Sequence, residues 1–273
     1  MNKVLKACLC FFLIFLALII FVPLIWTLST SFKTPEEITS LPITFFPKNI
    51  FNLDNYIHIF AYSAFGRYLL NSFIVSGITV VVSLIVASLA GFGFAKYNFP
   101  GKDIVFFAIL AILMVPFQAI TVPLYLWSIR FKLVDTYQGL AMPGLVSAFG
   151  IFLMRGAIES IPNDYLDAAR IDGASELRIY WRIILPSVKG SLAALAIIKF
   201  LWTWTSFFWP LIITSTDKVK VVTLGLADYT NMYFVEYNFA MAASIISIIP
   251  LMVIFIFFQK WVVKAMVLSG MKG

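Results

Sequence analysis

The residues that could do chemistry in this chain are concentrated in one charged segment, residues 164–186. Acids and bases lie beside one another in it, which favours charge pairing with another protein. Besides Asp164, the six charged side chains are Asp167, Asp172, Glu176, Arg170, Arg178 and Arg182. The small residues Ala168 and Ala169 would let a groove on a partner approach a helix closely. Composition alone fits an ordinary solvated hairpin equally well.

The same segment carries turn signals that predict two short helices. Gly173 can end the first helix in a left-handed conformation. Ser175 can cap a second helix that runs to about Ile184. Leu185 and Pro186 are then expected to turn the chain away from that helix.

Other kinds of chemistry lack their residues. No GxxxxGK[ST] phosphate loop is present, so the chain does not bind ATP by that route. The single histidine, His58, leaves too few ligands for a metal site and no plausible Ser-His-Asp triad. We therefore expect no catalysis, no metal and no cofactor bound by this chain.

Composition places the chain in a membrane. Its 273 residues are 62% hydrophobic and 12% charged, with a mean hydropathy of +0.97, which indicates a polytopic protein whose neighbours are lipids. The net charge of +7 comes without a basic patch interleaved with aromatics, so nucleic acid is not an expected partner. Six segments are apolar over a length that can span the bilayer: 7–28, 68–95, 104–129, 139–158, 191–214 and 240–263.

The distribution of Lys and Arg predicts the orientation. Twelve lie in connections on the side of the N-terminus and seven on the other side, so both termini and the 159–190 connection are expected in the cytoplasm. We divide the chain into a first transmembrane helix with an external loop (1–67), a five-helix transmembrane domain (68–263) and a cytoplasmic tail (264–273). The connection 159–190 is called the charged loop below.

Lys199 is the only formal charge well inside a predicted span. It could line a polar path or bind an anionic solute, because charges buried in a membrane are tolerated mainly for function. Its long stem could instead let the ammonium snorkel to the cytoplasmic interface. The second interpretation is the one we favour from the sequence.

The fifth span mixes aromatic rings with hydroxyl groups, which suits the apolar and polar faces of a sugar. An aromatic belt at the outer interface explains the same rings. Pro210 and Pro250 could each kink a helix, as a hinge or as a static bend. The candidate path residues are Lys199, Trp204, Thr205, Phe207 and Pro210.

Small residues recur every four positions in the second span, at Ser83, Ala87, Gly91 and Ala95. One helix face there allows close backbone approach. The partner of this face is either another helix of the same bundle or a second membrane subunit.

A known motif covers the charged loop. Asp167-Ala168-Ala169, Asp172-Gly173-Ala174, Tyr180 and Ile184-Leu185-Pro186 together closely resemble the EAA motif of bacterial ATP-binding-cassette (ABC) importer permeases. The resemblance implies a coupling helix that docks into a cleft of the ATPase. It departs at Asp167, where Glu is usual and reaches further, and at Gly190, where Pro is common. The implied coupling residues are Asp167, Ala168, Ala169, Asp172, Gly173, Ala174, Tyr180, Leu185 and Pro186.

Further matches extend the resemblance over nearly the whole chain. They look like the carbohydrate-uptake permeases of the MalG type, except at Thr205, where relatives often have Asn. The matching segments are Phe46-Pro47, Asn55-Tyr56, 68–72, Phe99-Pro100-Gly101, Pro116, 123–125, 150–153, Ile161-Pro162 and 200–211.

The resemblance implies an all-α, six-helix type I ABC importer permease in a bacterial cytoplasmic (inner) membrane. Its partners would be a second, homologous permease of the MalF type, two cytoplasmic ABC ATPase subunits that use ATP, and an external solute-binding protein. A sugar would cross between the two permeases as they rock. Two alternatives remain: the same architecture importing a solute such as glycerol phosphate, and an ion-coupled carrier or membrane scaffold without an ATPase.

Overall fold

The computed structural model describes residues 3–230 and 236–270; its regular elements there are helices, with no extended strand among them. Helices are expected here, since in lipid a helix satisfies the hydrogen bonds of its own backbone. Three continuous helices are long and apolar enough to cross a membrane, and three bent helix pairs raise the number of possible spans to six. The predicted all-α membrane fold is confirmed.

The helices are numbered along the chain. They are α1 (Lys3–Thr30), α2 (Pro35–Thr39), α3 (Asp54–Tyr62), α4 (Phe65–Lys96), α5 (Lys102–Ala111), α6 (Phe117–Arg130), α7 (Tyr137–Leu145), α8 (Ala148–Glu159), α9 (Asp164–Ile171), α10 (Glu176–Ile179), α11 (Leu185–Ser187), α12 (Lys189–Trp204), α13 (Phe208–Ile213), α14 (Val222–Ala227) and α15 (Tyr237–Gly270). A π turn, Tyr180–Ile184, joins α10 to α11. The first, second and sixth predicted spans correspond to α1, α4 and α15.

The third span is not the continuous helix that its apolar run predicts. A 3₁₀ turn, Ile112–Met114, ends its first half, and α6 then leaves at an angle of 102°. Pro116 explains the break, because proline lacks an N–H and biases the preceding residue towards an extended backbone. Val115 has that conformation, with ψ 119°.

The fourth span also bends, by 48° between α7 and α8. Its break lies at Val146 and Ser147, between Gly144 and Gly150. Val146 is extended, and the Ser147 hydroxyl caps α8 by accepting from the Gly150 N–H at 3.1 Å. A hydroxyl cap satisfies a donor that the new helix start would otherwise leave unpaired.

The predicted fifth span, 191–214, divides into α12 and α13 with a break at residues 205–207. Pro210 therefore lies in the first turn of α13, where its missing N–H has no helical partner to lose. It does not kink a helix interior as expected. By contrast, α15 continues through Pro250 to Gly270, and so includes residues 264–270 of the predicted tail.

The chain forms two compact units, one of Met1–Gly66 and Val222–Pro250, the other of Arg67–Val221 and Leu251–Gly273. In the first unit, the connection after α1, predicted as an external loop, contains the helices α2 and α3. Buried Asn55 organises it: its Nδ2 donates to the carbonyls of Ser31 and Lys33, and its Oδ1 accepts from Asn238 at 2.8 Å. The candidate site lies in the second unit.

The small-residue face of α4 packs within the same chain. A Cβ on Gly91 would lie 2.8 Å from both Met154 Cβ and the Arg155 nitrogen, and one on Gly150 would lie 3.1 Å from Ala87 Cβ. This face therefore contacts α8, which resolves the two alternatives in favour of packing within the bundle. Next to it lies a core built from Ala87, Phe92, Phe94, Phe106, Ile151, Met154, Ile158, Leu166, Ile179, Tyr180, Ile184, Val188 and Leu195.

Replacing Gly91 tests this contact. Gly91→Ala should lower the free energy of unfolding by about 1–3 kcal/mol, the usual range for overpacking, because α8 backbone atoms stand in the way. Gly93→Ala is the matched control on the same helix: nothing lies within 4 Å of its new Cβ, and alanine is the better helix former. Thermal unfolding of the purified variants in detergent measures both, and equal loss of stability in both would contradict the packing.

Candidate functional site

The charged loop folds as two short helices joined by a tight turn. Gly173 has φ 79°, a left-handed conformation that side chains rarely adopt. The Ser175 hydroxyl accepts from the Arg178 N–H and so caps α10. The predicted turn and cap are both confirmed.

The expected end of the second helix is wrong. Leu185 has helical dihedral angles and Pro186 lies inside α11, so the chain turns two residues later, at Val188, by 78°. The π turn explains why proline is tolerated. The Leu185 N–H bonds to the Tyr180 carbonyl five residues earlier, and this wider register relieves the clash that Pro186 would otherwise make with the carbonyl four residues before it.

The nine motif residues do not share one surface. Asp167, Ala168, Asp172, Gly173 and Pro186 are exposed, whereas Ala169, Ala174 and Leu185 pack partly against the core. Tyr180 is 2% exposed. The exposed part of the loop also carries apolar side chains that the motif does not include: Tyr165, Ile171, Leu177 and Trp181.

Three of the six charged side chains pair with one another, instead of reaching across to a partner as expected. Arg170 donates to Asp167 and to Glu176, each at 2.8 Å. Hydrogen bonds from Arg170 first, and then from Tyr97, lower the pKa of the Glu176 carboxyl. Asp172, Arg178 and Arg182 are exposed and have no ion pair within the described residues.

Residues of α4 and its end hold the loop, although no feature of the sequence had singled them out. The Tyr180 hydroxyl bonds to the Ser88 hydroxyl at 2.7 Å, and the Tyr97 hydroxyl donates to Glu176. Lys96 donates to the Ile161 carbonyl and to Asn163. These partners are 65 to 92 residues apart, so no local pattern could have paired them.

A cavity of about 400 Å³ lies among α4, α7, α12 and α13. Two of the five predicted path residues, Lys199 and Pro210, line it. Trp204 instead packs on Phe73 and Phe200, and the Thr205 hydroxyl bonds to the Leu201 carbonyl; Phe207 is exposed and is not part of the lining either. The full lining is Ser72, Val75, Thr79, Phe117, Leu140, Ala141, Pro143, Gly144, Lys199, Trp202, Thr203, Ser206, Trp209, Pro210 and Val221.

Lys199 does not snorkel to an interface as the sequence suggested. The residue is 6% exposed, and its ammonium lies in the cavity, 5.9 Å from the centre of the Trp202 ring. Within the described residues, its Nζ has neither a hydrogen bond nor an ion pair. Among those residues, the ring of Trp202 is therefore the group that faces the Lys199 ammonium.

Loop 214–221 is fastened beside the cavity by two residues that the sequence did not single out. Asn71 donates to the carbonyls of Lys218 and Lys220, and Asp135 accepts from the amides of Ser215 and Thr216. Partial burial would raise the pKa of Asp135, but hydrogen bonds from Thr216 and Ser215 outweigh it and lower that pKa. The loop leads into Val221, which lines the cavity.

Comparison with known proteins agrees with this architecture. A family model described as "Binding-protein-dependent transport system inner membrane component" matches residues 83–268. The chain is 34% identical to the arabinooligosaccharides transport system permease protein AraQ of Halalkalibacterium halodurans, over 95% of this chain and 94% of that one. It is 31% identical to the sn-glycerol-3-phosphate transport system permease protein UgpE of Brucella abortus, over 92% of each.

A solved structure shares the fold. A chain from a bacterial ABC transporter involved in the import of the acidic polysaccharide alginate superposes with a TM-score of 0.82, over 94% of this chain and 96% of that one. The two sequences are 23% identical, so the similarity is one of architecture.

The ion network in the loop can be tested by removing one charge. Glu176→Gln should lower the local opening free energy of residues 164–187 by about 0.2–1 kcal/mol, the range for exposed pairs. Hydrogen–deuterium exchange of the loop amides measures this opening. Asp172→Asn removes the same charge from a residue without an ion pair in the described parts of the chain and should change the exchange little; equal effects would contradict the network.

The pKa of Glu176 gives this effect a pH dependence. Because the folded-state pKa is lowered, the stabilisation is present at neutral pH and is lost as pH falls through that lowered value. Wild-type loop exchange should therefore approach that of Glu176→Gln in acid.

Proposed function

The chain belongs to the family of binding-protein-dependent transport system inner membrane components, and we propose how it works as the permease subunit of an ATP-driven importer. In this proposal the charged loop docks an ATPase, and the cavity among α4, α7, α12 and α13 belongs to the solute path. The observation that carries the proposal is the structure of the loop. One face of the loop is exposed, and the other face is held against the bundle by hydrogen bonds to α4 and to Tyr97.

The exposed face suits insertion into a groove. Ile171, at the end of α9, is 86% exposed, and Tyr165, Leu177 and Trp181 add apolar surface around it. Asp172, Arg178 and Arg182 keep their charges available for a partner. Apolar anchors rimmed by charges are the usual means by which a helix is held in a protein groove.

The locked face suits the transmission of movement. Arg170 ties α9 to α10, Tyr180 ties the π turn to α4, and Lys96 ties α4 to the residues before α9. A pull on α9 would therefore move the end of α4 with it, as one packed body. Such rigid-body displacement is a common way to rock a transporter between its two open states.

The remaining parts of the proposal come from the family and its relatives. We propose that two ABC ATPase subunits bind and use ATP, that a second homologous permease completes the path, and that an external binding protein delivers the solute. The charged loop and both termini would face the cytoplasm of a bacterium. The relatives named for arabinooligosaccharides and for glycerol 3-phosphate support a sugar or sugar-like solute with several hydroxyls, and the chain itself would perform no catalysis.

Gly173→Val tests the docking geometry. A β-branched residue in the left-handed conformation costs about 1–2 kcal/mol, so α9 should be misaimed and ATP hydrolysis stimulated by the loaded binding protein should fall about tenfold, as 1.4 kcal/mol predicts. Gly101→Val is the matched control, since Gly101 also has φ 79° and an open surrounding but lies before α5. Normal stimulation in Gly173→Val, with both variants assembled, would refute the role of the turn.

The energy source is a separate test. Uptake into proteoliposomes that contain both permeases, the ATPases and the binding protein should stop when ATP is withheld and an ion gradient is kept. Uptake that continues under those conditions would favour an ion-coupled carrier and contradict the importer.

A further inference from the structure

We propose that the cavity around Lys199 binds an anionic group, a carboxylate or a phosphate, carried by the transported solute. This inference rests on the proposed function, because the cavity meets a solute only if it belongs to the path. The proposed function expects a sugar or sugar-like solute, and this inference adds that the solute carries a negative charge.

The depth of Lys199 in α12 suits such a role. The helix begins at Lys189, ten residues earlier, so the rise to Lys199 is about 15 Å at 1.5 Å per residue. That is roughly half of the ~30 Å hydrocarbon thickness. Solutes are commonly held near the bilayer midplane in transporters.

The ammonium needs a compensating charge. Taking an ion out of water costs several kcal/mol even after the protein relaxes, and within the described residues no carboxylate or carbonyl accepts a hydrogen bond from Lys199 Nζ. The face of Trp202 at 5.9 Å offsets part of this cost. An anion entering the cavity would offset much more, whereas a neutral sugar would leave the charge unpaired.

A second polar group is aimed at the same space. Thr79 is 1% exposed, and its Oγ1 has no hydrogen-bond partner among the described residues. A Cβ built on Gly144 would lie 2.5 Å from Thr79 Cγ2 and 3.7 Å from both Thr79 Oγ1 and Lys199 Nζ. The Thr79 methyl therefore packs on the bare backbone of Gly144, and both donors lie close to it.

The two donors and the walls define the ligand. An ammonium and a hydroxyl can both donate to the oxygens of one carboxylate or phosphate. Trp202 and Trp209 line the cavity, and aromatic rings can pack against the apolar side of a sugar ring. The matching solutes are therefore acidic sugars such as uronates, and phosphorylated sugars or polyols.

Binding of matched charged and neutral probes tests the inference. The complete importer in lipid nanodiscs is titrated calorimetrically with D-glucuronate against D-glucose, and with sn-glycerol 3-phosphate against glycerol. The two pairs separate a carboxylate site from a phosphate site. At least one charged probe should bind about tenfold or more tightly than its neutral partner.

Variants locate the preference. Lys199→Met should abolish it and Lys199→Arg should keep it, whereas Lys218→Met, which removes a charge from an exposed loop, should leave it unchanged. Thr79→Val keeps the ammonium and nearly the same side-chain shape but removes the second donor, so it should weaken charged-probe binding about fivefold or more, or roughly 1 kcal/mol. This variant decides the question if Lys199→Met does not assemble.

Three results would overturn the inference: equal binding of charged and neutral probes, a charge preference that survives Lys199→Met, or unchanged charged-probe binding in Thr79→Val. Proteoliposome uptake distinguishes a failure of the anion site from a failure of the proposed function. ATP-dependent uptake without a charge preference contradicts the anion site alone, and uptake without ATP contradicts the importer.

Discussion

The buried hydroxyl of Tyr180 joins the charged loop to α4, and the core at that end of the bundle is arranged around it. It bonds to Ser88 at 2.7 Å, while the ring lies 5.9 Å from that of Phe92. A buried hydroxyl left without a partner costs about 1–3 kcal/mol, so this bond fixes the register of the π turn. The register in turn admits Pro186 and sets where the chain bends at Val188. One side-chain contact thus determines how the loop leaves the membrane bundle.

The sequence was most informative where structure depends on local chemistry. Long apolar runs predicted α1, α4 and α15, and the turn at Gly173 and the cap at Ser175 followed from backbone preferences alone. Prediction from the sequence failed where a side chain's position depends on residues that are far away in the sequence. The sequence allowed Arg170 to pair with an acidic residue of a second protein, but in the folded loop it pairs with Glu176 at 2.8 Å. Lys199 could have snorkelled. Trp202 lies on the same helix, but Thr79 and Gly144 come from α4 and α7, which spacing in the sequence could not bring next to Lys199.

The broken spans have a common physical consequence. Breaks at 115–116, 146–147 and 205–207 free backbone groups that lipid cannot satisfy. A local hydroxyl takes over part of this work, as Ser147 does for the Gly150 N–H. Irregular backbone at membrane depth is tolerated where it is buried in protein or lines a cavity. Gly144, two residues before the second break, and Ser206, within the third, both line the cavity.

The helices that hold the loop also form walls of the cavity. α4 bonds to the loop through Ser88 and contributes Ser72 and Thr79 to the lining, and α12 starts directly after the Val188 turn and carries Lys199. Helices are stiff along their axes, and close-packed interiors transmit strain. A displacement of the loop would therefore reach Thr79 and Lys199, the two donors near Gly144, through the helices that carry them. Force applied at one end of the bundle and affinity for a solute in its middle would be linked through these two helices, without a separate relay of side chains.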